Sequence, residues 1–139
     1  MAVAERYHDQ VKSALDKHRK RHDDPWKQFE GYLTMVTEII KTKERICAAG
    51  SVQSECNNVP ASMMDEMAAL IRFVISWIAT VIEAGRRRGT MDFPGDASDQ
   101  ALLIFTAVQG ALQIGRAQGR DQFDKVIRQI RKSLKTTTQ

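Results

Sequence analysis

The run from Met67 to Ile82, MAALIRFVISWIATVI, constrains the fold most, because it is apolar almost throughout. Its polar interruptions are Arg72, Ser76 and Thr80, which are spaced four residues apart. On a helix, this spacing places all three side chains in one narrow stripe on an otherwise apolar cylinder. A helix of this kind either crosses a membrane or lies at the centre of a helical domain.

Three features favour the centre of a soluble domain over a membrane span. The run is shorter than the ~18 to 20 residues that a bilayer requires. It contains Arg72, and it is flanked by Glu66 and Glu83. Charged residues at these positions are unfavourable inside a membrane-spanning helix. We therefore predict a central helix, covered by other helices on most sides, that begins near Ser62 and ends near Gly89.

The composition is that of one soluble domain. The chain has 139 residues, of which 42% are hydrophobic and 27% are charged, enough to bury a substantial core. Three prolines and few alternating β-branched runs favour an all-α fold over a sheet. The net charge of +4 permits an acidic partner without demanding one. The sequence shows no signal peptide and no membrane span, so we expect a cytoplasmic protein.

The sequence offers no combination of residues suited to catalysis. Cys47 and Cys56 lack metal-site or CxxC spacing, and we expect two reduced thiols rather than a disulfide. Glu55 beside Cys56 invites a nucleophile, but all three histidines lie near the N-terminus, in the first predicted helix. A nucleophilic cysteine needs a neighbouring base. We therefore predict that the protein is not an enzyme and has no cofactor.

Residues 3–22 are expected to form the first helix. Its end, KHRKRH from Lys17 to His22, fits either a phosphate-binding patch or a solvated helix end whose cations suit the C-terminal dipole. We favour the helix end, because no aromatic or glycine-rich signal accompanies the run. His18 and His22 are spaced to share a metal, but no third ligand is evident, so we predict no metal site. The apolar stripe of this helix comprises Tyr7, Val11, Ala14, Leu15, His18 and His22.

A second helix is predicted to start at Asp24-Pro25, an N-cap residue followed by a proline suited to the first helical position. It should extend to about Cys47, and a short helix and a loop should follow over residues 48–61. Two adjacent stripes indicate a wide buried face. The first contains Trp26, Phe29, Leu33, Val36 and Ile40, and the second contains Tyr32, Met35, Ile39 and Ile46.

Two further helices are predicted after the central one, over residues 97–118 and from Gly119-Arg120-Asp121 onwards, with a frayed tail at 135–139. Gly110 lies in the middle of the first of these helices, where glycine costs up to ~1 kcal/mol relative to alanine. This suggests that another helix, from the same chain or from a second subunit, approaches closely there. The apolar faces comprise Ala101, Phe105, Val108, Leu112 and Gly115, then Phe123, Val126, Ile127, Ile130 and Leu134.

The order of several segments resembles a known family. They are DDPW-x2-F-x2-YL, CAAGSVQSE, EAGRRRGTM and ALLIFTAVQGALQIGRAQG, at residues 23–33, 47–55, 83–91 and 101–119. In order and spacing they are similar to the C-terminal effector-binding and dimerisation domain of TetR-type transcriptional repressors, over essentially the whole chain. The resemblance implies one all-α domain at 1–139, a bundle of about five to six helices around the central apolar helix. Residues 1–22 would be the helix that connects it to a DNA-binding domain.

The resemblance also implies a mechanism. A small hydrophobic effector would bind a pocket in each subunit of a homodimer and shift the first helix. That shift would alter DNA binding by a helix-turn-helix domain, for which these residues leave no room. The alternative is a stand-alone dimeric all-α interaction module without DNA binding. The two hypotheses share the fold and differ in whether a DNA-binding domain belongs to the same protein.

Specific residues follow from the implied architecture. Arg72 on the central helix would either meet an acidic ligand or extend from the helix edge into solvent. The predicted ligand-binding residues are Phe29, Leu33, Val36, Met67, Ile71, Val74 and Phe105, which combine aromatic, Met and aliphatic walls. The predicted dimer interface comprises Val108, Leu112, Phe123, Ile127 and Ile130, with Gly110 permitting close approach.

Overall fold

The computed structural model describes residues 2–41 and 61–136, with side chains from Arg6 onwards. Within these residues the secondary structure is helical throughout, which confirms the predicted all-α class. The described part contains five helices, in agreement with the predicted number. They are α1 (Ala2–Arg21), α2 (Pro25–Lys41), α3 (Ala61–Arg87), α4 (Ala97–Gln118) and α5 (Arg120–Leu134).

Several predictions concern residues outside the described ranges. These are the extension of the second helix to Cys47, the connection that begins at residue 48, the state of the thiols of Cys47 and Cys56, and most of the predicted tail. They stay predictions.

Helix α3 is the centre of the bundle, as predicted from its composition. It packs against α1, α2 and α4, while α5 packs mainly against α4. The predicted polar stripe of Arg72, Ser76 and Thr80 is the exposed side of the helix. By length and composition alone α3 could cross a membrane, but its apolar face is occupied by the neighbouring helices. Its buried residues are Met67, Leu70, Val74, Trp77, Ile78, Val81, Ile82 and Gly85.

The end of α3 follows the predicted glycine stop. Gly89 has a φ of 77°, a left-handed conformation that glycine adopts without a steric penalty. The main-chain N–H groups of Thr90 and Met91 donate to the Gly85 carbonyl at 2.9 and 3.1 Å. Both bonds thus go to one carbonyl group in the last turn of the helix, where carbonyl groups lack a partner within the regular helix. The chain then reverses direction, and Met91 is buried against α3.

The junction of α1 and α2 is held by several hydrogen bonds. The Asp24 carboxylate accepts from the Trp26 main-chain N–H at 3.0 Å, which confirms the predicted N-cap. Gln28 Nε2 donates to the His22 carbonyl at 2.6 Å, and Arg88 Nη1 donates to the Asp23 carbonyl at 2.7 Å. The C-terminal end of α1 is therefore tied to α2 and to the end of α3.

Several side-chain contacts join the body of α1 to α3, and one of them places Lys12 Nζ 5.2 Å from the centroid of the Phe73 ring. Trp77 Nε1 donates to the Leu15 carbonyl at 3.1 Å, and both side chains are buried. Nearer the start of α1, His8 Nδ1 contacts Glu66 Oε1. Of these last two contacts, the one with the later residue on α1, Leu15, also has the later residue on α3, Trp77. The two helices therefore run in the same direction.

Helices α4 and α5 form a pair at one side of α3. Asp96 caps α4, since its side chain accepts a hydrogen bond from the Ser98 main-chain N–H at 3.3 Å. Gly119, with a φ of 112°, separates the two helices. The inner face of α5 is buried. The guanidinium group of Arg131 on α5 donates two hydrogen bonds to the Glu30 carboxylate on α2, from Nε at 2.8 Å and from Nη2 at 2.9 Å. The pair of helices thus also contacts α2.

Candidate ligand-binding cavity

An apolar cavity lies between α1, α2, α3 and α4. Its volume is ≈ 50 Å³, whereas an apolar cavity of about 150 Å³ is known to bind benzene. A ligand of even that size would therefore require the surrounding helices to move apart. The walls are Tyr7 and Val11 of α1, Tyr32, Met35, Val36 and Ile39 of α2, Leu70, Ile71 and Val74 of α3, and Phe105, Gln109 and Leu112 of α4.

Helical periodicity explains how these residues meet. On α2, Tyr32, Met35, Val36 and Ile39 follow the three- and four-residue steps of a single helix face. Tyr32, Met35 and Ile39 belong to the second of the two stripes seen in the α2 sequence, whereas Val36 belongs to the first, most of which packs into the core. The double stripe thus serves two surfaces, the cavity and the core.

The chemistry of the cavity suits the binding of an uncharged apolar group. Among the described residues that line it, none carries a formal charge at neutral pH, and the polar atoms come from Tyr7, Tyr32 and Gln109. The Tyr32 ring lies 6.0 Å from the Phe29 ring and 6.2 Å from the Trp77 ring, measured between centroids. Such aromatic contacts fix the position of the Tyr32 side chain. The lining contains no pair of groups suited to nucleophilic or acid–base chemistry.

The predicted ligand-binding residues divide into two groups. Four of the seven, Val36, Ile71, Val74 and Phe105, line the cavity. The other three are packed in the core beside it, and their exposed fractions are 0% for Phe29, 0% for Leu33 and 3% for Met67.

Sequence reasoning missed the contribution of α1 to the cavity. Tyr7 and Val11 belong to the apolar stripe recognised on α1, but that helix had been assigned only a connecting role. Their spacing of four residues was the signal that α1 turns a face toward the bundle. Leu112, predicted for the dimer interface, is also a cavity wall.

The predicted interface residues lie mostly inside the single chain. Val108, Leu112, Phe123, Ile127 and Ile130 have exposed fractions between 0% and 6%. They are the side chains through which α4 and α5 pack together and against the rest of the bundle. A second subunit in contact with this unchanged chain would therefore meet other residues. The remaining predicted position, Gly110, is exposed and has no atom within 4 Å of a Cβ placed on it.

An exposed apolar face runs along the outside of α4. Its large side chains are Leu102, Leu103 and Ile114, which are 49%, 61% and 46% exposed. Gly110 lies between them in the helix, one turn before Ile114. In the described part of the chain, these three are the large hydrophobic side chains that are left exposed. Exposed apolar patches of this kind mark interaction surfaces.

The basic and histidine-containing end of α1 is largely exposed to solvent. Arg19, Lys20 and Arg21 are exposed, and within the described residues no group of three or more metal-binding side chains converges. The pKa of His18 is lowered by burial of its ring and by the neighbouring charges of His22, Arg21 and Lys17.

A second, open groove lies on the exposed side of α3, where the polar stripe faces the start of α4. Arg72 is exposed there, so it extends into solvent rather than into the apolar cavity. Further along, Arg86 donates to Glu83 at 2.9 and 3.1 Å, and this hydrogen bonding lowers the pKa of the Glu83 carboxyl. The apolar cavity is the more enclosed of the two, and it remains the candidate site.

The fold was compared with known proteins. No protein-family model and no curated protein matches the sequence. A TetR-family transcriptional regulator from Agrobacterium tumefaciens matches with a TM-score of 0.90 and 22% identity, over 97% of this chain and 72% of that chain. The reduced form of Escherichia coli NemR matches with a TM-score of 0.86 and 18% identity, over 99% of this chain and 74% of that chain. The regulatory protein TetR from Rhodobacter sphaeroides matches with a TM-score of 0.84 and 15% identity, over 96% of this chain and 72% of that chain.

The chain has the fold of TetR-family regulators. The resemblance inferred from sequence segments is therefore confirmed at the level of architecture. The matches extend over nearly the whole chain, so the arrangement of the described helices around α3 is that of the TetR-type fold.

Proposed function

We propose that this chain is the ligand-sensing and dimerisation part of a TetR-type transcriptional regulator that acts in the cytoplasm. The observation that carries the proposal is the narrow apolar cavity in which α1 provides one wall through Tyr7 and Val11. A ligand that widens this cavity must displace at least one of the four surrounding helices. In the proposed mechanism α1 moves, and it transmits the change to a helix-turn-helix domain that precedes it.

The proposed effector is a small hydrophobic molecule without a formal charge. An ion placed among these walls would lose its hydration without gaining a charged partner, which is unfavourable. The polar atoms of the tyrosines and of Gln109 suit a ligand with a few hydrogen-bonding groups on an apolar body.

The proposed regulator is a homodimer, and its interface includes the exposed face of α4. In a dimer with a two-fold axis, the surface patch that contains Leu103 and Ile114 in one subunit would pack against the same patch of the second subunit. Gly110, which has free space around it, would allow the two α4 helices to approach closely. This location replaces the buried residues predicted from the sequence alone.

Ligand binding can be tested with N-phenyl-1-naphthylamine, a neutral apolar fluorophore. We expect saturable binding by the protein and loss of at least tenfold in affinity in Val11→Phe, which fills the cavity from the α1 side. Val126→Phe is the matched control, because Val126 is also half-buried but packs on α5 away from the cavity. Equal binding by both variants would argue against the cavity as the site.

The regulatory part of the proposal has its own test, the intact mass of the protein made by its native host. A mass greater than 15.7 kDa by about one small three-helix domain would support DNA binding by the same polypeptide. A mass of 15.7 kDa would favour the second candidate, a stand-alone dimeric interaction module. The exposed apolar face of α4 supports this second candidate as well, since dimerisation through that face would need no ligand.

A further inference from the structure

We propose that His8 and Glu66 form a latch that holds α1 against α3 and keeps the cavity narrow until a ligand binds. The inference rests on the proposed ligand-sensing function. The latch joins His8 Nδ1 to Glu66 Oε1 across 58 residues of sequence. The His8 side chain is 13% exposed and the Glu66 side chain 32% exposed, so the contact is partly shielded from water. Shielding makes a hydrogen bond to a carboxylate stronger than it is on an open surface.

The position of the latch relates it directly to the cavity. His8 follows the cavity residue Tyr7 and lies one helical turn before Val11. On the other helix, Glu66 lies one turn before the cavity residue Leu70. Neither His8 nor Glu66 lines the cavity, but each lies within about one helical turn of a lining residue on its own helix, so the latch fastens α1 to α3 beside the cavity, on the side toward the start of both helices.

The C-terminal half of α1 is fastened differently. There the Leu15 and His22 main-chain carbonyls accept hydrogen bonds from Trp77 and Gln28. The Trp77 side chain is buried, and the bond lies inside the bundle. A force that widens the cavity would thus open the latch and leave the buried attachment of α1 in place. The N-terminal half of α1 would pivot about its C-terminal half.

The energetic consequence has a definite sign. Because the latch stabilises the narrow state, its contribution opposes any ligand that must widen the cavity. Removing either partner should therefore make ligand binding tighter by about threefold to tenfold, the range for the net contribution of one typical hydrogen bond. A residue that merely supported the walls of the cavity would have the opposite effect when removed.

The test uses His8→Ala, Glu66→Ala and the double variant. The matched controls are Asp9→Ala and Asp65→Ala, which remove an exposed carboxylate next to each partner. The first measurement is hydrogen–deuterium exchange without ligand. We expect faster exchange in the N-terminal half of α1 in the three latch variants, and unchanged exchange in its C-terminal half and in α5. Unchanged exchange in the N-terminal half, or faster exchange across all helices, would overturn the latch.

The second measurement is the affinity for N-phenyl-1-naphthylamine. We expect each single variant to bind about threefold to tenfold more tightly than the wild type. The double variant should show the same gain as a single variant, because the same interaction is lost in each case. Wild-type or weaker affinity in the latch variants would overturn the proposal while leaving ligand binding by the cavity intact. If the wild type and every variant failed to bind, the proposed ligand-sensing function would fail, and the exchange measurement would still decide whether the latch exists.

Discussion

The Leu15 carbonyl of α1 accepts a hydrogen bond from Trp77 Nε1 of α3 over 3.1 Å, within the buried core. The two residues are 62 positions apart in the sequence. Indole nitrogens inside a protein need a partner, because an unpaired donor there is costly. Here the partner is a main-chain carbonyl of the helix that also forms a cavity wall. The bond thus couples the position of α1 to the central helix.

Replacing Trp77 by Phe removes this donor and leaves a small cavity. We expect Trp77→Phe to lower the free energy of unfolding by about 1–3 kcal/mol. Urea denaturation followed by far-ultraviolet circular dichroism measures the change. Trp26→Phe is the matched control, since Trp26 Nε1 donates to the Thr90 carbonyl at 2.6 Å outside the α1–α3 contact. Faster amide exchange in the C-terminal half of α1 should occur in Trp77→Phe alone.

A pair of glycines tests how closely the helices approach. A Cβ on Gly31 of α2 would lie 2.5 Å from Cγ of His18 on α1, closer than real Cβ contacts allow. We therefore expect Gly31→Ala to destabilise the protein by about 1–3 kcal/mol through displacement of the His18 ring.

Gly110→Ala is the comparison, because Gly110 is also within a helix but has free space within the chain. Alanine there should raise the free energy of unfolding of the monomer by up to about 1 kcal/mol. Denaturation at low protein concentration separates this effect from any change in dimer formation. Destabilisation of similar size in both variants would contradict the difference in packing.

Much of the architecture could be predicted from the sequence, because local signals determine helices. The apolar length of α3, the Asp24-Pro25 and Asp96 caps and the glycine stop at Gly89 each act within a few residues. The ends of α1 and α3 were placed within one or two residues of their positions in the structure, and α4 was placed over the same residues.

The cavity and the outer surface could be predicted only in part, because they depend on how helices rotate about their axes. An apolar stripe shows that a face is buried, but it does not distinguish the core from a cavity or from a second subunit. This is why Phe29 and Leu33 were assigned to the ligand and Leu112 to the interface. The exposed pair Leu102-Leu103 was overlooked, since the stripe beginning at Ala101 was the more regular one.

His18 should make stability depend on pH in a defined direction. Burial and neighbouring positive charges lower its pKa in the folded protein below the usual histidine value of 6.5. The unfolded chain therefore binds a proton more readily, so stability decreases as the pH falls from 6.5 through the lowered pKa. Above that range His18 is neutral in both states and makes no such difference.

We expect His18→Gln to lose less stability than the wild type between about pH 7.5 and pH 5. Urea denaturation at several pH values gives the comparison. His22→Gln is the control: it removes one of the charges that lower the His18 pKa, while burial, the largest cause, remains. Identical pH profiles for His18→Gln and the wild type would contradict the assignment.

The exposed face of α4 makes the most direct prediction about assembly. Leu103 and Ile114 are 61% and 46% exposed, and burying them against a second subunit would remove apolar surface from water. Placing a charge at either position would leave that charge desolvated in the interface. At micromolar concentrations we therefore expect the wild type to be a dimer and Leu103→Glu and Ile114→Lys to be folded monomers. Sedimentation velocity measures the mass, and circular dichroism verifies the helix content.

Thr80→Glu is the control for this experiment, because Thr80 is exposed on the polar stripe of α3, away from the exposed apolar residues of α4. It should leave the dimer intact. If the wild type were a monomer, the proposed dimerisation would be rejected, and it would no longer explain the apolar face of α4. Dimers of unchanged stability in Leu103→Glu and Ile114→Lys would instead place the interface on another surface. The two results differ in meaning, since the first rejects assembly and the second rejects only its location.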